Sequence, residues 1–202
     1  MATTSRKTSK TSTTTARRAT GAVARKTAPT RARTPKAPVA QEATALLKAD
    51  HKLVSGLFDQ YEHTRSTAKK KALVATICKE LGIHAQAEEE IFYPAVKAAL
   101  KDKELVPEAI VEHASLKELM AQVEGKEPDG EMFDAKIQVL SEYVKHHVKE
   151  EETEMFPKAR KTKLDMKALG AQIAARKDEL KATWPLSQDK PGILARVVDA
   201  IS

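Results

Sequence analysis

Six residues of this chain have the types and the spacing to hold metal ions: His51, His84, Glu88, His113, His147 and Glu151. Each histidine falls on the apolar stripe of a segment with helical periodicity. The first stripe is Leu47, His51, Val54, Phe58 and Tyr61, and the second is Leu73, Ile77, Leu81, His84, Glu88 and Phe92. The third is Val106, Ile110, His113, Leu116, Met120 and Val123, and the fourth is Ile137, Leu140, Val144, His147, Glu151 and Met155. A single core imidazole is ordinarily a structural residue satisfied by its neighbours. Four, one per segment and each needing polar partners, point to a shared purpose. Histidine and glutamate four apart are neighbours on a helix face, so each H-x-x-x-E presents a nitrogen and a carboxylate to one site. Mixed nitrogen and oxygen ligation without thiolate suits iron or manganese, and zinc as well; a carboxylate can bridge two ions, which favours a dinuclear site. The alternative is a buried hydrogen-bonded network without metal.

Spacing adds a second argument. His51 and His84 are 33 positions apart and His113 and His147 are 34 apart, so the two halves read as copies. Asp50-His51 matches Glu112-His113, and "HAQAEEEIFYP" matches "HVKEEETEMFP", each with ten positions from histidine to proline. His147, not the adjacent His146, is therefore the counterpart of His84, and Glu151 is the counterpart of Glu88. Asp50 and Glu112 each precede a candidate ligand and are placed to orient a neighbouring imidazole. Glu89, Glu90, Glu150, Glu152 and Glu154 read as a solvated charged face, His63 and His146 as structural or surface residues, and Cys78 as core packing.

The four stripes are separated by short breaks around 64–68, 101–106 and 124–130, the last being "EGKEPDG", a strong turn signal. Such short connections make consecutive helices antiparallel neighbours, and strand signals are absent. The expectation is all-α: an up-down-up-down four-helix bundle over 42–160. A C-terminal helical extension over 161–202 follows, with Leu164, Leu169, Ile173 and Leu180 lying across the bundle and "ILARVVDAIS" as a further short helix.

Charge is unevenly distributed. Of 35 Lys and Arg, ten lie in residues 1–40, which contain no acid; the remainder faces 28 acidic residues. The tail, residues 1–41, is thus strongly basic, rich in Thr, Ser, Ala and Pro, and is expected to be disordered. Non-specific contact with nucleic acid phosphates is the reading favoured for it over a purely solubilising tail or a transit peptide. A single cysteine excludes an intrachain disulfide, and no apolar run is long enough to span a membrane, which together suggest a cytoplasmic protein. Glu-x-x-His, C-x-x-C, H-E-x-x-H, G-x-S-x-G and phosphate-binding glycine loops are all missing, so ferritin-like oxidase, thiol redox, zinc protease, serine hydrolase and P-loop readings lack support.

Over about residues 44–159 the sequence resembles the hemerythrin-like, HHE cation-binding family. The likeness rests on the "DH" and "EH" dipeptides, the two H-x-x-x-E-E stretches and the paired "FYP" and "MFP" endings. It implies an antiparallel four-helix bundle with a non-haem di-iron centre, two ions per chain, that binds oxygen or a related small ligand at an open position on one iron. His51, His84, His113 and His147 match the ligand histidines, and Glu88 and Glu151 match the bridging carboxylates. Two positions depart from the oxygen carriers: Lys117 stands where they have a further histidine, and Glu151 lies at spacing four where they have a more distant aspartate. With that imidazole missing, sensing of oxygen or iron, binding of nitric oxide, and turnover of peroxide, nitric oxide or ferrous iron all stand beside reversible oxygen carriage. A nucleoid-associated protein with a structural metal is the remaining alternative.

Overall fold

The structure is a computed structural model and describes residues 41–101 and 104–184. Residues 1–40, and the short helix expected near the C-terminus, lie outside the described residues. Helix α1 runs Ala43–His63 and α2 Thr67–Ala87; α3 is Tyr93–Leu100, α4 Leu105–Val123, α5 Glu131–Glu150, α6 Phe156–Arg160 and α7 Met166–Ala182. Two single π-helical turns, Glu88–Phe92 and Glu151–Met155, join α2 to α3 and α5 to α6 into two long rods. With α1 and α4 these rods make the four-helix bundle, and the described residues contain no strand.

Local chemistry sets the helix ends. Ser66 accepts the amide of Lys69, and Asp165 accepts those of Lys167 and Ala168, satisfying donors that have no intrahelical partner. The "EGKEPDG" break places Gly125 and Gly130 at φ 70° and 132°, backbone that residues with a Cβ rarely adopt. The π-helical turns have a cause in the sequence too. Pro94 and Pro157 have no N–H to give the carbonyl four residues back, and just ahead of them the amides of Tyr93 and Phe156 bond to Glu88 and Glu151, five residues back.

The core is divided. One apolar cluster contains Val54, Phe58, Val74, Ile77, Leu116 and Leu140; the other contains Leu47, Phe92, Val96, Val106, Met155 and Phe156. Between them lies a belt of polar side chains at His51, His84, Glu88, His113, His147 and Glu151. Helix α7 packs against α1 and α2 and adds Leu169, Ile173 and Leu180 to the second cluster. At Gly170 it meets the start of α1 backbone to backbone, where a Cβ would overlap the Gln41 carbonyl and lie 2.8 Å from the Ala43 amide nitrogen.

Candidate metal centre

The helices carry their polar belt into an almost sealed interior. His51, His84, His113 and His147 are 7, 5, 1 and 3% exposed, and Glu88 and Glu151 are 0 and 2% exposed. The imidazoles meet in two pairs: His51 and His84 with Nε2 atoms 3.2 Å apart, and His113 and His147 with Nε2 atoms 3.0 Å apart. Two donors each ~2.1 Å from one ion and at right angles are separated by about this distance. Each carboxylate reaches both pairs. Glu88 Oε2 lies 3.0 Å from His84 and 3.6 Å from His113, while Glu151 Oε2 lies 3.2 Å from His51 and 3.6 Å from His147.

Four further carboxylates decide which nitrogen faces inward. Nδ1 of His84 donates to Asp50 at 3.2 Å, that of His147 to Glu112 at 2.7 Å, that of His113 to Glu89 at 3.0 Å and that of His51 to Glu152 at 2.9 Å. A proton held at Nδ1 leaves the Nε2 lone pair free for the interior, as in the carboxylate-histidine arrangement of metal sites. The pattern follows the internal repeat: each orienting acid is the chain neighbour of a candidate ligand and serves a histidine on another helix. Asp50 and Glu112 act as their place beside His51 and His113 suggested. Glu89 is buried, and Glu152, its side chain 30% exposed, is tied to His51 and Lys48, so neither is simply part of a solvated face, which corrects the sequence reading. Adjacent helical residues differ by about 100°, and beside Glu88 and Glu151 that rotation points into the seam between helices. Glu90 is also engaged, by Arg176 of α7, whereas Glu154 is exposed. His63 and His146 are exposed and Cys78 is buried.

Three of the four orienting acids carry a lysine. Lys117 Nζ lies 2.6 Å from Glu89, Lys48 Nζ lies 3.1 Å from Glu152, and the buried Lys177 of α7 pairs with Asp50. Lys117 therefore turns away from the interior and neutralises the acid that holds His113.

Tyr93 was not visible as a site residue. Its hydroxyl donates to Glu151 Oε1 at 2.9 Å and lies 3.1 Å from His113 Nε2 and 3.5 Å from His147 Nε2. In a regular α-helix Tyr93, five positions after Glu88, would sit about 140° around from it. The π-helical turn returns it to the same face. Its repeat counterpart, Phe156, stacks on His51 with ring centroids 5.8 Å apart, so one pair of imidazoles has a hydroxyl neighbour and the other a hydrocarbon one.

The electrostatics call for a cation. Glu88 Oε1 and Oε2 and Glu151 Oε2 are buried and accept no hydrogen bond, with imidazole Nε2 atoms 3.0–3.6 Å away as the neighbours of the two Oε2 atoms, and a buried carboxylate needs a positive partner to offset a desolvation cost of several kcal/mol. Burial opposes charge on His84, yet Glu88, Asp50 and Glu151 outweigh it and lift its pKa to about 10. His147 is raised in the same way, against its burial, by Glu112 and Glu151. Burial would raise Glu151, but His147, His51 and His84 hold it well below the usual carboxylate range. Burial, then the charges of Glu151 and Glu88, push the Tyr93 phenol far up, so it remains a donor. Two mixed groups of ligand atoms result: His51, His84, Glu88 and Glu151 in one, and Glu88, His113 and His147 in the other. Their all-nitrogen-and-oxygen chemistry suits a metal cation, and Glu88 belongs to both groups. Beside the four imidazoles, Val54, Leu81, Leu116 and Val144 enclose a cavity of about 20 Å³.

The crystal structure of a hemerythrin HHE cation binding domain-containing protein from Mycobacterium kansasii superposes with a TM-score of 0.61 at 23% identity, covering 77% of this chain and 98% of that one, a likeness of fold. A curated protein named DNA nickase from Nostoc sp. (strain PCC 7120 / SAG 25.82 / UTEX 2576) is 29% identical over 111 residues. That match takes in 55% of this chain but only 31% of the relative's length. The hemerythrin HHE cation binding domain profile matches residues 42–159, more than half of the chain, and the chain belongs to that family.

Proposed function

We propose that the bundle holds two non-haem iron ions and binds oxygen or a related small ligand beside them, as a sensor or binding protein. The observation that carries this reading is the pair of buried carboxylates, Glu88 and Glu151, each reaching both imidazole pairs and lacking hydrogen-bond partners on three of their four oxygens. Two irons would supply redox chemistry and a Lewis-acidic centre for a small ligand. The chain's own residues do the rest. His51 and His84 would hold one ion and His113 and His147 the other, with Glu88 and Glu151 bridging and the four outer acids keeping the imidazoles in register. The cavity of about 20 Å³ has room for a ligand of about two atoms, and its walls other than the histidines are largely aliphatic, which favours an uncharged diatomic. The Tyr93 hydroxyl, which donates to Glu151, stands beside the His113 and His147 pair.

Metal content of protein purified without added metal, with optical spectra before and after oxygen, tests the reading. About two irons per chain and an oxygen-dependent charge-transfer band are expected. His147→Ala or Glu151→Ala should remove most of the retained iron, whereas His146→Ala and Glu150→Ala should leave it. Equal loss at both pairs would overturn the site.

Tyr93 favours a second reading, in which the same centre turns over peroxide, nitric oxide or ferrous iron with the phenol as proton donor. Sustained consumption of peroxide, as against a single spectral change, separates turnover from binding. Nucleic acid contact by residues 1–40 is a further part of the proposal, carried by ten basic residues without an acid and in keeping with the name of the Nostoc relative. The lone reduced cysteine and the absence, among the described residues, of a helix able to cross a membrane suit a cytoplasmic setting.

A further inference from the structure

The second half of the chain contains a doubled motif that the first half lacks. In "HHVKEE" two H-x-x-x-E pairs overlap by one position, His146 with Glu150 and His147 with Glu151; the residues matching the outer pair in the first half are Ile83 and Ala87. Rotated about 100° from the inner pair, the outer pair lies at the surface, with side chains 64% and 33% exposed. His146 Nε2 is 3.2 Å from Glu150 Oε1 and 3.6 Å from Glu112 Oε1, and all three ligand atoms lie within 4.8 Å of one another.

Charge singles out this corner. Asp50, Glu89 and Glu152 are each matched by a lysine, but among the described residues no lysine or arginine pairs with Glu112. Its Oε2 accepts from His147, and its Oε1 faces His146 beside a second carboxylate, Glu150. Two acids and one imidazole thus share a spot where the other three corners of the site have an ammonium. A cavity of about 10 Å³, the size of one water or one ion, is lined by Glu112 and Glu150 on its outer side and by His147 and Glu151 on its inner side. Glu151 Oε2, one of three buried carboxylate oxygens without a hydrogen-bond partner, faces the imidazoles of His51 and His147.

We infer that Glu112, His146 and Glu150 form a third, surface site for a divalent cation, at the outer end of the route by which ions reach the buried centre. One imidazole and two carboxylates, with water completing the shell, suit Fe²⁺, Mn²⁺ or Zn²⁺ and hold them weakly enough to let go. Glu112 joins the two sites: a cation on Oε1 sits one carboxylate away from His147. The inference rests on the metal-centre reading above only for its delivery role.

The test uses the full chain and a His146→Ala/Glu150→Gln variant, which leaves Glu112 in place and changes only surface side chains. Equilibrium dialysis against Zn²⁺ should give one more zinc per wild-type chain than per variant chain, whether or not the buried centre is filled, with affinity at the outer site at least tenfold weaker in the variant. Equal zinc in the two proteins overturns the site. Anaerobic uptake of Fe²⁺ by metal-free protein should start severalfold more slowly in the variant and, once weakly held surface iron is removed by gel filtration, reach the same final content. Equal initial rates overturn the delivery role. Wild-type protein that takes up no iron, with the zinc difference intact, counts against the buried di-iron reading and leaves the surface site standing.

Discussion

Replacing Glu89 by glutamine examines the outer ring of acids at the point where it is best enclosed. Glu89 is 8% exposed, accepts from His113 Nδ1 at 3.0 Å, and faces Lys117 Nζ at 2.6 and 2.7 Å. Glutamine keeps the shape and an acceptor for His113, so the fold should hold, but it removes the negative charge that makes His113 a better donor and leaves the Lys117 ammonium against a neutral amide. Loss of such an orienting partner typically lowers metal affinity 10- to 100-fold, about 1.4–2.7 kcal/mol. Burial argues for the upper part of that range, since little water can replace the lost charge. The control is the next residue: Glu90→Gln breaks a contact with Arg176 at 2.5 Å that faces α7, and it should change affinity by less than about twofold. Competition for ferrous iron with a chelator of known affinity, under anaerobic conditions and beside a thermal melt of each variant, gives the numbers. Wild-type affinity in Glu89→Gln, or an equal loss in Glu90→Gln, would refute the role given to the ring.

Three other outcomes are expected. Tyr93→Phe should retain its metal and slow the reaction of the reduced centre with peroxide by at least about 100-fold, the low end for a positioned proton donor; an unchanged rate would make Tyr93 a packing residue. In the metal-free protein His84 has its pKa raised from 6.5 to about 10, so the stability its proton brings is complete below pH 6.5 and is lost as pH rises through about 10. The metal-free protein should therefore lose thermal stability between pH 7 and 10, and metal uptake at pH 7 should release protons, readable as a buffer-dependent heat; heats independent of the buffer would contradict this. Gly170→Ala, which on helix propensity alone would stabilise by about 1 kcal/mol, should instead destabilise by about 1–3 kcal/mol, because the added methyl meets the Gln41 backbone rather than a movable side chain. A raised melting temperature would show that α7 can shift at no cost.

The six inward residues were readable because two regularities coincide on them, the 3.6-residue stripe and the internal repeat. His147 was separable from His146 for that reason, although the two are adjacent. What escaped depended on neighbours the stripe does not describe. Glu89 and Glu152 fall just off it, and whether that direction means water or another helix is decided by the packing of four rods. Their signal was the second glutamate of each H-x-x-x-E-E, present in both halves. Tyr93 escaped because a constant helical turn places it on the wrong face; the proline after it in "FYP" marked the change of turn. Lys177 could not be read, since nothing local announces that α7 buries an ammonium against Asp50.

The two bridging acids are crossed. Glu88 belongs to the first hairpin yet reaches His113 of the second, and Glu151 belongs to the second yet reaches His51 of the first. Ions seated between them would rivet the hairpins together through the middle of their seam, far along the chain from the 124–130 connection that is their covalent hinge. That hinge then becomes less needed for cohesion: a chain nicked there would be held by its rivets as well as by the two apolar clusters the hairpins share, and a chelator would loosen the nicked halves more than the intact chain.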